Sequence, residues 1–166
     1  MKTTVADSSP LIAFIKKEEF QVLKTLFTTI HVPASVHEEL TQGQGSSPVQ
    51  VGKIHEAVRE GWIIIDAPLK LRIPDLPLGK GESEAINACL TDPASYLLLM
   101  DEKKGRRIAQ VHGIKTLGTM GIITLAFKTK KQKKEESMED LKKLLSSGFY
   151  LSSDAVIAFT EFLNKP

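Results

Sequence analysis

The chain has 166 residues, of which 42% are hydrophobic and 25% charged, and a formal net charge of +2. This composition excludes a disordered or fibrous chain. A domain of this length buries about 68–70% of its unfolded surface, so it folds without a disulfide or a structural metal.

The single Cys89 cannot bridge within the chain, and a reducing compartment is its simplest setting. Met1 to Asp7 hold no apolar run before the first acid, so no signal peptide is expected. The best membrane candidate, Thr116 to Phe127, has 12 uncharged residues, fewer than the roughly 18 that a spanning helix needs. A soluble, cytoplasmic protein with no membrane partner is expected.

In chain order, a short apolar strand ends at Val5 and meets Asp7-Ser8-Ser9-Pro10, where Ser9 is placed to cap a helix and Pro10 to begin it. Leu11 to Leu26 follow helical spacing with a break near Glu18-Glu19. Phe27 to Val32 reads as a second strand, and Pro33-Ala34-Ser35 opens a short helix over Val36 to Leu40. Gln42 to Pro48 is a Gly- and Ser-rich loop. A helix to about Glu60 and a strand over Trp62 to Ile65 follow. Pro68 to Gly81 is irregular. Glu82 to Leu90 is helical, Tyr96 to Met100 a buried strand, and Glu102 to His112 a helix that Gly113 terminates. Ile114 to Leu117 is a strand and Gly118 to Lys128 a helix. Two further helices cover Met138 to Leu145 and, after a Ser152-Ser153-Asp154 cap, Ser153 to Leu163. Strands alternating with helices imply a mostly parallel sheet covered on both faces.

Sheets of this kind carry their sites at the carboxyl ends of the strands. Asp7 and Asp101 both follow strands, and their side chains meet only if those strands are neighbours. Each also has a plain explanation: a turn for Asp7, and a cap of the helix beginning at Glu102 for Asp101. Two helices add acids. Glu38 and Glu39 point about 100° apart, so at most one aims inward comfortably. Glu82 and Glu84 lie in a first helical turn, where the macrodipole favours negative charge.

Other chemistries lack support. The four histidines show no metal-ligand spacing, one Cys builds no thiolate site, and no phosphate-cradling glycine loop follows a strand. Ser8 and Ser9 have no evident His partner for a triad. Charge is unevenly spread. Residues 103–134 hold ten Lys or Arg and no acid, leaving 12 basic and 20 acidic residues elsewhere. Such a split suits a protein that holds an anion with one part and a cation with another, although Lys128 to Lys134 reads equally well as a solvated surface.

Five segments stand in a recognisable order: Val5-Ala6-Asp7-Ser8-Ser9-Pro10-Leu11-Ile12, Val32 to Leu40, Gly81-Glu82-Ser83-Glu84-Ala85-Ile86, Leu97 to Arg107, and Gly113 to Thr119. Together they resemble the PIN-domain family, in particular its prokaryotic branch related to VapC-type toxins. The resemblance implies a three-layer α/β/α fold with a mostly parallel sheet, and one domain over residues 1–166. Its core would span about 3–127, with a C-terminal helical extension over about 135–164. It implies Mg²⁺ or Mn²⁺ held by Asp7, Glu39, Glu82 and Asp101, with Glu84 as an alternative third ligand and Glu102 as a secondary acid. The family often has Asp at the third position.

By the same resemblance, Ser8 and Ser9 are supporting hydroxyls. Lys103, Lys104 and Arg107 would meet substrate phosphates, and Arg106 would meet phosphate or orient a site carboxylate. The activity implied is endonucleolytic hydrolysis of RNA, leaving a 5′-phosphate and a 3′-hydroxyl, with the metal lowering the pKa of an attacking water. A cognate antitoxin protein and a homodimer are the implied partners. The apolar runs Val22 to Phe27 and Ile122 to Phe127 would serve as interface or as core. Two further readings stay open: a catalytically weak PIN-like module that binds RNA or protein, and a small-molecule phosphohydrolase on a generic doubly wound sheet.

Overall fold

The computed structural model describes residues 2–129, 131–146, 148 and 153–164. The chain falls into two compact units, Met1–Thr119 and Met120–Pro166.

The first unit is built on a five-stranded sheet of order β3-β2-β1-β4-β5, with every pairing parallel. The strands are β1 (Thr3–Ala6), β2 (Ile30–Pro33), β3 (Ile63–Asp66), β4 (Tyr96–Leu99) and β5 (Lys115–Leu117). The helices joining them are α1 (Ser8–Lys16), α2 (Phe20–Phe27), α3 (Ala34–Gln42), α4 (Pro48–Arg59), α5 (Lys80–Cys89) and α6 (Lys103–Val111). Right-handed crossovers put α1, α2 and α4 on one face of the sheet and α5 and α6 on the other, giving three layers, while α3 packs against α1 and α4 and also against α5. The expected α/β/α class is therefore observed.

The strands are buried on both faces, so they are apolar without alternation. Val5, Leu98 and Met100 pack with Ala85, Ile86, Cys89, Ala109 and Ile114 beneath α5 and α6. On the other side Leu11, Phe14, Leu23, Leu40 and Ile54 are fully enclosed. Each such side chain contributes roughly 1.5–3 kcal/mol by leaving water. Burial pushes the Cys89 thiol up to about 12, so this cysteine serves as a small core residue.

Several boundaries move from expectation for local reasons. Helix α1 starts at Ser8, with extended Asp7 as the residue before it, so Ser9 is not its cap. Strand β2 starts only at Ile30, because Phe27 still belongs to α2. Helix α5 begins at Lys80, where Glu82 accepts a hydrogen bond from the Gly79 N–H at 2.9 Å. Glu102, not Asp101, precedes α6 and accepts from the Gly105 N–H. Gly113, at φ +78°, follows α6 in the left-handed conformation that glycine tolerates. A 3-10 turn at Pro93–Ser95 precedes β4.

The second unit carries α7 (Thr119–Lys128) from Met120 onward, α8 (Lys134–Ser146) and α9 (Ser153–Leu163). Helix α8 starts four residues before the expected Met138. Glu136 accepts from the Lys133 N–H at 2.5 Å, and acids in the first turn suit the helix dipole. Phe127 and Phe162 meet edge-on at 5.8 Å, with Lys128 over the Phe162 ring. Lys134 donates to Asn164. Two cations of the basic run are thus engaged within this unit. Lys130 of that run and Ser152 of the expected cap lie outside the described residues. Among the described residues no helix is long and apolar enough to cross a membrane.

Candidate active site

The sheet order reverses direction at β1, which lies between β2 and β4. In open parallel sheets such a reversal opens a crevice at the carboxyl ends of the strands. Asp7 is the first residue past β1, and its N–H donates to the Leu99 carbonyl of β4 at 2.9 Å. The two strands that end in Asp7 and Met100-Asp101 are therefore neighbours, the condition under which both acids serve one place.

Asp7 is 1% exposed. Its Oδ1 is buried with no hydrogen-bond partner, and its Oδ2 accepts a long contact from the Ser9 hydroxyl at 3.4 Å. Burial raises its pKa to about 6. The charges of Glu82 and Glu39 push the same way, against the Ser8 N–H and the Ser9 hydroxyl, which favour the ionised form.

Glu39 reaches the site from α3. The Ser8 hydroxyl donates to its Oε1 at 3.0 Å, so Ser8 ties the residue after Asp7 to this second acid. Gly81 makes room for it, because a Cβ there would lie 3.1 Å from Glu39 Oε2 and from Val36 Cγ2. On α5 the two glutamates separate. Glu84 turns to α3, where its Oε2 accepts from the Ser35 hydroxyl at 2.5 Å and the Ser35 N–H at 3.3 Å. Glu82 accepts from Gly79 and is one of the two carboxylates acting on Asp7.

Asp101 is held by Thr119, which ends the fifth of the resembling segments but to which the sequence assigned no role. Thr119, fully buried, donates its N–H to Oδ1 at 2.7 Å and its hydroxyl to Oδ2 at 2.6 Å. The available signal was Gly118-Thr119 directly after β5, since a small residue and a hydroxyl at a strand end mark a close approach. Gly118 supplies that approach: a Cβ there would lie 2.9 Å from Asp101 Oδ1 and 3.1 Å from Arg106 Nη1. Arg106 thus stands beside Asp101, half-buried, while Lys103, Lys104 and Arg107 line α6 in solvent. Glu102 is committed to capping: the N–H groups of Gly105 and Lys104 hold its carboxyl below the usual range.

Glu39 and Glu82 therefore both act electrostatically on Asp7, and Asp101 follows the adjacent strand, held by Thr119. The donors are all carboxylate oxygens, which suit a hard divalent cation. Asp7 Oδ1, buried without a protein partner, is an oxygen that such a cation would satisfy. Among the described residues, no three His, Cys, Asp or Glu already stand close enough together to hold a metal ion.

A family profile described as a PIN domain matches residues 3–165. No curated protein and no solved structure matches the chain.

Proposed function

Since the chain belongs to the PIN-domain family, we propose that it is a metal-dependent endoribonuclease whose acids are Asp7, Glu39, Glu82 and Asp101. The observation that carries the reading is Asp7. It is a carboxylate at the reversal point of a parallel sheet, almost wholly buried and with one unpartnered oxygen, and burial, with the charges of Glu82 and Glu39 adding to it, raises its pKa to about 6. A fold rarely keeps such a group for stability, because burying an unpaired acid costs free energy.

A bound Mg²⁺ or Mn²⁺ would activate water and neutralise charge developing on the leaving oxygen. The chain's own residues supply the frame. Ser8 orients Glu39, Thr119 fixes both oxygens of Asp101, and Gly79 holds one oxygen of Glu82. Arg106 beside Asp101 balances the local negative charge. Lys103, Lys104 and Arg107 offer phosphate contacts that weaken as salt rises.

The deciding test is cleavage of end-labelled single-stranded RNA with Mg²⁺ or Mn²⁺, comparing the wild type, a chelator control and Asp7→Asn. Metal-dependent cutting by the wild type alone supports the reading; equal cutting by Asp7→Asn overturns the site. The proposal includes one PIN-like domain across both units, supported by a family match that spans them, and work in the cytoplasm. It also includes a toxin role under a cognate antitoxin and a homodimer, tested by growth arrest on expression and by the mass in solution. A second reading, a catalytically weak RNA- or protein-binding module, draws on the absence of a ready-made group of three acids among the described residues. Salt-sensitive RNA binding without turnover would favour it.

A further inference from the structure

Beside Glu39 lies a groove of about 360 Å³, lined among others by Ile12, Lys16, Gln44, Ser46 and Gln50. One wall is a single face of α1. Ser8, Ile12 and Lys16 recur every fourth residue, so they stack along one side of the helix. At 1.5 Å per residue, Lys16 stands about 12 Å along the axis from Ser8. That face begins at the Ser8–Glu39 hydrogen bond and ends at a cation. Lys16 is exposed, and among the described residues it is ion-paired with no carboxylate.

The opposite wall is the loop between α3 and α4, and it is anchored rather than loose. The Ser46 hydroxyl donates to the Glu39 carbonyl at 3.0 Å, and the buried Gln50 amide donates to the Leu40 carbonyl at 2.7 Å. Gly43 is required where the loop leaves α3, because a Cβ there would come within 2.5 Å of the Glu39 carbonyl oxygen. At the crest, a Cβ on Gly45 would meet nothing within 4 Å, so this wall faces open space.

We propose that this groove is a second phosphate subsite: it carries the RNA strand away from the acids, and Lys16 contacts a backbone phosphate about 12 Å from Ser8. This rests on the ribonuclease reading above. A cluster of carboxylates repels the polyanion around it, so affinity has to come from cations set to either side. Strands β2 and β4 lie on opposite sides of β1, so the loop after α3 and the start of α6 flank Asp7. Lys103 and Lys104 serve one side and Lys16 the other. Among the described residues the groove has no aromatic lining residue, so it holds backbone rather than stacked bases, and its contact is independent of sequence.

The test is fluorescence anisotropy of the full chain with labelled single-stranded RNA of about ten nucleotides, in chelator, across a salt series. Lys16→Glu is expected to weaken binding about tenfold, and Lys16→Ala to reduce the salt slope by about 0.7. Gly45→Glu, whose side chain enters open space, is expected to weaken binding as well. Lys53→Glu, the same charge change on α4 outside the groove, stays within about twofold of wild type. The proposal is overturned if the Lys16 and Gly45 variants bind as wild type does, if Lys53→Glu weakens binding equally, or if the wild type binds no RNA. Groove-dependent binding by a wild type that cuts nothing with Mg²⁺ or Mn²⁺ would retire the nuclease reading and leave the subsite standing.

Discussion

Thr119 grips both oxygens of Asp101, its N–H at 2.7 Å from Oδ1 and its hydroxyl at 2.6 Å from Oδ2. The pair joins the ends of β4 and β5 and fixes the plane of the carboxylate. Thr119→Val keeps the volume and the N–H but removes the hydroxyl donor. A hydrogen bond to a charged group is worth about 1.5–3 kcal/mol, so metal-dependent cleavage should fall about tenfold or more. The metal concentration for half activity should rise with it. Thr119→Ser should restore both, whereas a merely structural role would leave that concentration unchanged.

Gly118 is a point of close approach rather than a flexible hinge. Gly118→Ala would set a methyl 2.9 Å from Asp101 Oδ1 and 3.1 Å from Arg106 Nη1. The Arg106 side chain can yield more easily than the bonded carboxylate, so the fold should survive with a loss of about 1–2 kcal/mol. Thermal melting should show that small loss beside a larger fall in cleavage. Equal activity of the alanine variant would remove Arg106 and Gly118 from the site.

Asp7 makes the metal-free protein sensitive to pH. Its folded pKa is about 6, against an ordinary value of 3.8. Between these values the folded chain keeps a proton that the unfolded chain has released. Stability therefore declines as pH rises through that window and levels off above about pH 6, for a total of about 3 kcal/mol. Denaturant titrations in chelator, from pH 4 to pH 7, should show this trend in the wild type relative to Asp7→Asn. A constant difference between the two proteins would show that Asp7 titrates normally.

Glu82 and Glu84 should part company on substitution. Glu84 accepts two hydrogen bonds from Ser35, so Glu84→Gln should cost about 1 kcal/mol of stability with little effect on metal-dependent cleavage. Glu82→Gln should abolish most of the cleavage and remove one of the charges that raise Asp7. The reverse pattern would exchange their roles.

Local chemistry reads directly from a sequence. The Pro48 helix start, the Gly113 stop and the apolar runs of Val5 and Leu98 depend on neighbours a few residues away, and the structure keeps them. The order of acids at strand and helix ends was equally visible, as was the family that this order resembles. Proximity was not. The strands that lead to Asp7 and Asp101 are neighbours because the chain crosses from β3 past β2 and β1 to set β4 beside β1, and no periodicity encodes which strands pair. The choice between Glu82 and Glu84 follows from which side of α5 faces Asp7, since residues two apart point about 200° apart on a helix. Thr119 lies 18 residues from Asp101 in the chain, and only the packing of β5 beside β4 brings its hydroxyl to that carboxylate. Residue type and spacing are short-range properties of the chain, whereas a site is assembled by long-range pairing, and the free energy of that pairing is spread over the whole core.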